Sequence, residues 1–172
     1  TLAGARAMTA TSGPGLSLYS ENIGLAIIGE VPLVIVDVQR LGPATGGATT
    51  VGQGDVQFAR WGTAGGYPII ALAPSSVAEC YSLTMKAFDL AERFRCPVFL
   101  LTDKELNTTT TTVEVDDYEN PAGRERAVLP ATEPPYRYLP ADDVPPLAQY
   151  GGDGAVRFTG STHDERAIIT KS

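Results

Sequence analysis

Apolar runs and amphipathic stretches alternate through the first part of the chain. Residues 5 to 11 (ARAMTAT) predict a short strand that starts almost at the first residue; an opening in mid-strand implies further structure ahead of it. Leu16, Tyr19, Ile23, Ala26 and Ile27 recur at helical spacing and predict one helix from Pro14 to about Gly29 and Glu30. Pro14 suits a first helical position, where its missing N–H has no partner to lose, and Ser12 or Gly13 can stand as the cap before it. Leu33, Val34, Ile35, Val36 and Val38 form a near-continuous branched run, as in a strand covered on both faces of a parallel sheet. Asp55 to Trp61 predicts one or two helical turns, and residues 68 to 73 (PIIALA) a second buried strand. Ser76 and Glu79 form a capping box ahead of a helix over residues 76 to 95. Its buried face is read as Val77, Tyr81, Phe88 and Ala91, with Cys80, Ala87 and Phe94 alongside. Residues 98 to 102 (VFLLT) predict a last strand, finishing at Asp103. Strands alternating with helices over short connections predict an α/β fold, a parallel doubly wound sheet with right-handed crossovers.

The pattern changes near Asn107. Five threonines, Thr108 to Thr112, lead into an acidic, proline-rich tract reaching about residue 150. Such a tract buries little apolar surface alone. The expected division is therefore a domain over residues 1–106 and a proline-rich arm over 107–172, partly extended and lying on a neighbouring domain or subunit. Within the arm, residues 155 to 160 (AVRFTG) read as a strand and Ser161 to Glu165 as a turn. His163 there reads as solvated rather than catalytic.

Composition narrows the classes. At 172 residues the chain is one domain, or one domain with an appendage, and it can bury a real core. A net charge of −7 argues against nucleic acid and anionic membrane surfaces, which need a basic patch. No apolar run nears the roughly 20 residues that span a bilayer. Cys80 and Cys96 form no CxxC pair, fit a reducing cytoplasm, and cannot ligate a cluster or structural zinc. With His163 the sole histidine, His-based metal or triad chemistry is nearly excluded.

Candidate chemistry gathers at the end of the central strand. Gln39 and Arg40 follow the apolar run, and the 15 residues from Leu41 to Asp55 include five glycines. Ligands of open α/β sheets bind beyond the carboxyl ends of the strands. An arginine there can hold an anion while a loop of small side chains closes over a ligand; the plain alternative is a surface loop with an exposed arginine. After the first strand, Thr11-Ser12-Gly13-Pro14-Gly15 makes a tight turn that aims the free N–H groups of the next helix above the sheet edge. Gly13-x-Gly15 does not complete GxGxxG, because position 18 is leucine, and there is no Walker A motif.

Several strings carry a resemblance. TATSGPG before a helix, then EVPLVIVDVQRLGPATG, then QGD, resembles the α subunit of the 2-oxoacid:ferredoxin oxidoreductases. APSSVAECYSLTMKAFDLAERFRCPVFLLTDKEL and TGSTHDE fit the family in phase, so the likeness spans nearly the whole chain. TSGPG alone is shared with the pyrimidine domains of other thiamine diphosphate enzymes, such as decarboxylases and acetolactate-type synthases. The strand that ends in VQRLGPATG is what separates them. Ala44 departs from a common family serine, and Thr63 to Gly66 lack a common histidine-glycine pair. A non-catalytic α/β interaction module is a further alternative.

The resemblance implies a thiamine diphosphate pyrimidine-binding domain. The cofactor and its Mg2+ would be shared with a β subunit that carries the pyrophosphate domain. A 2-oxoacid, 2-oxoglutarate foremost, would be oxidatively decarboxylated to an acyl-CoA. Electrons would pass through an iron–sulfur cluster on a partner subunit to ferredoxin, with a γ domain or subunit in the assembly and the whole in the cytoplasm. Arg40 would pair with the substrate carboxylate, which suits a bidentate guanidinium. Gly42, Thr45 and Gly46 would shape the loop over the substrate, and Thr11, Ser12 and Gly13 would line the cofactor side. Gln53 and Asp55 would stand behind the residues that touch ligand. The family glutamate that activates the cofactor lies upstream of TSGPG, with a YPITP-like segment, and neither is among these residues. Glu21 and Glu30 follow the turn and cannot replace that glutamate. The resemblance thus implies a subunit truncated at its N-terminus, inactive alone, with no catalytic residue and no metal ligand in this stretch. Gly152-Asp153-Gly154 looks like the start of a Mg-diphosphate motif but stands in the arm rather than at a strand end.

Overall fold

The computed structural model of the protein describes residues 1–114, 129–130, 132–137, 144, 147–148, 150–151 and 155–171. Its centre is a four-stranded, wholly parallel sheet. Strand β1 is Met8–Thr11, β2 Leu33–Gln39, β3 Ile70–Leu72 and β4 Pro97–Asp103, in the order β1-β2-β4-β3. The two central strands run in register from Leu33 beside Pro97 to Gln39 beside Asp103.

Handedness explains the layers. Moving from β1 to β2, and from β2 across to β3, the chain travels one way along the sheet. The connecting helices are α1 (Pro14–Leu18), α2 (Ser20–Ile28) and α3 (Val56–Trp61). Moving from β3 back to β4 it reverses, through α4 (Val77–Phe94). Right-handed crossovers then place α4 on the opposite face. The two cores follow. Leu16, Ile23, Ile35, Ala59, Phe99 and Leu101 pack on the α1–α3 face, and Val34, Val36, Ala87, Ala91, Val98 and Leu100 on the α4 face. Each fully buried branched or aromatic side chain contributes about 1.5–3 kcal/mol, so β2 and β4 hold the sheet from both sides.

Local chemistry departs from the predicted pattern in several places. The single helix predicted from Pro14 is two: Tyr19 caps α1 at φ −86°, ψ −4° and also begins α2. With only five residues, α1 carries little of the dipole expected of a full helix. In α4, Ser76 Oγ accepts from the Glu79 N–H at 3.2 Å, but Glu79 returns its bond to the Ser75 N–H at 2.7 Å, one residue before the cap. Those bonds hold the Glu79 carboxyl below its ordinary range, the Ser75 backbone N–H foremost. Tyr81 and Phe94, expected on the buried face of α4, are 50% and 44% exposed. The face centres instead on Ala87 and Ala91; Tyr81 lies six residues before Ala87, well around the helix at 3.6 residues per turn.

Residues 155–160 form no strand, and the nearby pairing is an isolated antiparallel bridge between His163 and Ile169. The described arm residues also pack on this chain itself. Tyr136, Leu147 and Ala148 are buried, and the Tyr136 hydroxyl reaches the Gly29 carbonyl at 3.4 Å. Phe158 fills the space beside Gly29, where a Cβ would strike its ring. His163 is half-buried, its ring 4.1 Å from that of Tyr136. Gly152 to Gly154 lie outside the described residues. No described helix is long and apolar enough to cross a membrane.

Candidate functional site

The carboxyl ends of β1 and β2 lie side by side, with Thr11 in register with Asp37. The turn after β1 therefore stands next to the residue after β2, Arg40. Gly13 makes this approach possible. It caps α1 at φ 50°, ψ −119°, a conformation for which glycine is suited. A Cβ at Gly13 would lie 2.8 Å from Arg40 Cζ, so any side chain would displace the guanidinium. At the next glycine, Gly15, a Cβ would collide with the Thr11 hydroxyl.

Arg40 is held by neutral oxygens. Its Nη1 donates to the Thr45 carbonyl at 2.7 Å and to the Ala44 carbonyl at 3.4 Å, and its Nε to Ser12 Oγ at 3.4 Å. Among the described residues no carboxylate pairs with it, and Nη2 makes no hydrogen bond. The loop that supplies those carbonyls folds back on its own start. Leu41 donates to Thr50 at 2.8 Å and accepts from Gly47 at 3.1 Å, in a small antiparallel bridge. Gly46 sits at φ 39°, where a Cβ would press on the Leu41 carbonyl at 2.5 Å.

A cavity of about 630 Å³ opens between these parts. Gly13, Pro14 and Ser17 line one side, the loop residues Leu41 to Ala44 another, and Gly52 to Asp55 with Phe58 the third. Of the residues singled out from sequence, Gly13, Gly42, Gln53 and Asp55 line it, the last two directly rather than from behind. Arg40, Ser12 and Thr45 stand behind that lining, Arg40 against Gly13 and Ala44, which do line it; Gly46 buttresses the loop, and Thr11 supports the turn.

Asp37 was not singled out from the sequence. It is fully buried in β2, and neither of its carboxyl oxygens has a hydrogen-bond partner among the described residues. Burial, and after it the Asp55 carboxylate, pushes its pKa from 3.8 up to about 7. The signal was present as an acid inside the apolar run LVIVDVQ. The cysteines are quiet: burial, and then Asp103 and Glu79, raise the Cys80 thiol, and burial takes Cys96 up to about 11. Among the described residues no cluster of three or more His, Cys, Asp or Glu could hold a metal ion.

Comparison with known proteins agrees with this architecture. The family model described as "Pyruvate flavodoxin/ferredoxin oxidoreductase, thiamine diP-bdg" matches residues 1–172. The chain is 45% identical over 164 residues to 2-oxoglutarate synthase subunit KorA of Methanocaldococcus jannaschii, covering 95% of this chain and 44% of that one. It is 39% identical over 172 residues to 2-oxoacid:ferredoxin oxidoreductase 1, subunit alpha, of Aeropyrum pernix, covering 98% of this chain and 27% of that one. Among solved structures, the 2-oxoglutarate:ferredoxin oxidoreductase of Magnetococcus marinus, with 2-oxoglutarate, coenzyme A and succinyl-CoA bound, superposes with a TM-score of 0.85. That match has 36% identity and covers 99% of this chain and 30% of the other. The chain thus spans less than half the length of each of these relatives. With a family match along its full length and a sheet that superposes on a solved relative, the chain belongs to the pyruvate flavodoxin/ferredoxin oxidoreductase family, in its thiamine diphosphate-binding part.

Proposed function

We propose that this chain is the pyrimidine-binding part of the α subunit of a 2-oxoacid:ferredoxin oxidoreductase. The complete enzyme would oxidatively decarboxylate a 2-oxoacid, with 2-oxoglutarate favoured, to an acyl-CoA and reduce ferredoxin. The observation that carries this reading is Arg40: a guanidinium at a strand's carboxyl end, beside a cavity, bonded to carbonyls and a hydroxyl and to no described carboxylate. Its charge is left for an anionic ligand, and a carboxylate matches its planar donors.

The residues present also fit thiamine diphosphate. The bare turn at Gly13, a position a Cβ would fill, keeps the side of the cavity next to Pro14 and Ser17 shallow and free of bulk. Thr11, Ser12 and Gly13 would hold the cofactor on that side. When bound, the cofactor supplies the electron sink that decarboxylation needs. The chain's own share is positioning. Arg40 grips the substrate carboxylate, Gly42, Thr45 and Gly46 shape the loop over the substrate, and Gln53 and Asp55 close the opposite side. The β subunit with the pyrophosphate domain and Mg2+, an iron–sulfur cluster on a partner subunit, a γ domain or subunit, ferredoxin and coenzyme A complete the proposed assembly, in the cytoplasm.

The test is Arg40→Ala in the complete α subunit assembled with its partners. Removing a charge-assisted contact of about 1.5–3 kcal/mol lowers kcat/KM for 2-oxoglutarate about 10- to 100-fold, mostly through KM. Unchanged turnover with 2-oxoacids would instead favour a non-catalytic interaction module.

A further inference from the structure

The arm carries a cationic hollow of its own. Residues 162–170 double back in a turn, with the Thr170 N–H donating to the Thr162 carbonyl at 2.9 Å and His163 bridged to Ile169. Asp164 fixes the tip: its Oδ1 accepts from the backbone N–H groups of Arg166 and Ile168, each at 2.9 Å. The Tyr136 N–H donates to the Glu165 carbonyl at 3.1 Å and joins the tip to the Pro134-Pro135 segment. Against this turn lies a hollow of about 280 Å³, lined by Arg157 and Arg166, by Glu133, and by apolar Pro134, Pro135 and Ile168. It stands toward the amino end of the sheet, because the Pro135 carbonyl accepts from Arg95 just before β4. Arg40 and its cavity stand at the carboxyl end.

Two guanidiniums bordering one small space repel each other unless an anion stands between them. The chain itself supplies none. Glu133, the one acid among the lining residues, is taken by Arg137 at 3.0 Å, and Asp164 Oδ1 is spent on backbone N–H groups. Among the described residues neither the Arg157 nor the Arg166 side chain makes an ion pair or hydrogen bond, in a chain whose net charge is −7. We propose that Arg157 and Arg166 form a binding site for a phosphoryl group. A single carboxylate is satisfied by one guanidinium fork, whereas a phosphoryl group brings nearly two charges and three acceptor oxygens, enough for both arginines. Pockets for organic ligands hold roughly 300–1,000 Å³, so this hollow suits inorganic phosphate or a short phosphate ester whose carbon end rests on Pro134, Pro135 and Ile168. Bound there, the anion joins the segment of Arg157 and Phe158, which covers the end of α2, to the 162–170 turn.

Calorimetric titration of inorganic phosphate into the complete assembled enzyme, loaded with its cofactors and held at constant ionic strength, tests the site. The wild type is expected to bind saturably with a Kd on the order of 1 mM, and chloride to give no such isotherm. Arg157→Gln with Arg166→Gln weakens binding about tenfold or more, and Arg40→Ala leaves it unchanged. Phosphate raises the Tm of the wild type and not that of the double variant. Arg157→Lys with Arg166→Lys keeps both charges but not the planar forks, so it gives an intermediate affinity and guards against a fold defect in the Gln pair. Glycerol 3-phosphate separates the two sources: affinity equal to that of phosphate assigns the site to the free ion, and affinity about tenfold higher assigns it to a short ester. No saturable phosphate binding, affinity retained in the Gln pair, or affinity lost in Arg40→Ala overturns the proposal.

Discussion

Arg40 and Arg95 stand at opposite ends of one parallel sheet and are held in opposite ways. Arg95 precedes β4 on the amino side. It is 3% exposed, with Nε 3.1 Å from the Glu30 carboxylate and Nη2 donating to the Pro135 carbonyl at 3.1 Å. Its guanidinium lies over the Tyr136 ring, 5.7 Å from the centroid. Burial pushes its pKa down, and Glu30 opposes that. Arg40 follows β2 on the carboxyl side, half-buried, and among the described residues donates to two carbonyls and a hydroxyl. A cation whose charge is balanced inside the fold serves the fold. One steadied by neutral acceptors keeps its charge for something else. Residue type does not separate the two; the acceptors around each do.

The largest effect expected is on stability. Arg95→Ala leaves the Pro135 carbonyl and Glu30 without their partner and should cost about 2–4 kcal/mol in urea unfolding of the complete subunit. Activity per folded molecule should stay near wild type. Arg40→Ala should do the reverse, with the kinetic loss given above and an unfolding free energy within about 0.5 kcal/mol of wild type. If Arg40→Ala unfolded the protein as readily as Arg95→Ala, the contrast would collapse. Gly13→Ala sharpens it from the other side. A methyl at φ 50° pressed against the guanidinium should cost about 1–2 kcal/mol and raise KM several-fold by moving Arg40. The smallest effect belongs to Tyr136→Phe. Its bond to the Gly29 carbonyl is long at 3.4 Å, so thermal unfolding should show a loss of about 0.5 kcal/mol or less.

Much of this molecule was legible in the chain. The run from Leu33 to Val38, the strand at VFLLT and the helix capped by Ser76 lie where period and caps predicted them, and the alternation gave the parallel order its direction. The resemblance carried by SGPG and VQRLGPATG led to the right family. Arg40 and Gly13 were legible as strand-end residues. Their closeness was not, because 27 residues separate them and parallel pairing of β1 with β2 brings them together. By period Tyr19 is one more apolar position on a single helix, and no propensity marks the break there. Size and hydrophobicity point Tyr81 to the buried face, whereas close approach of α4 to the sheet selects small residues at its centre. A lone acid in an apolar strand, such as Asp37, carries no meaning until its neighbours are known.

By itself the sequence determined the alternation of strand and helix, the glycine-permitted turn at Gly13, the loop of small side chains after β2, and the family. These depend on period, backbone freedom and local order, all of which act over a few residues. Tertiary structure alone decided which arginine is balanced by a carboxylate, that Tyr136 and Phe158 return to cover the end of α2, and that Asp37 is fully buried. Each of these depends on the dielectric surroundings and partners of a group, and both are set by residues distant along the chain.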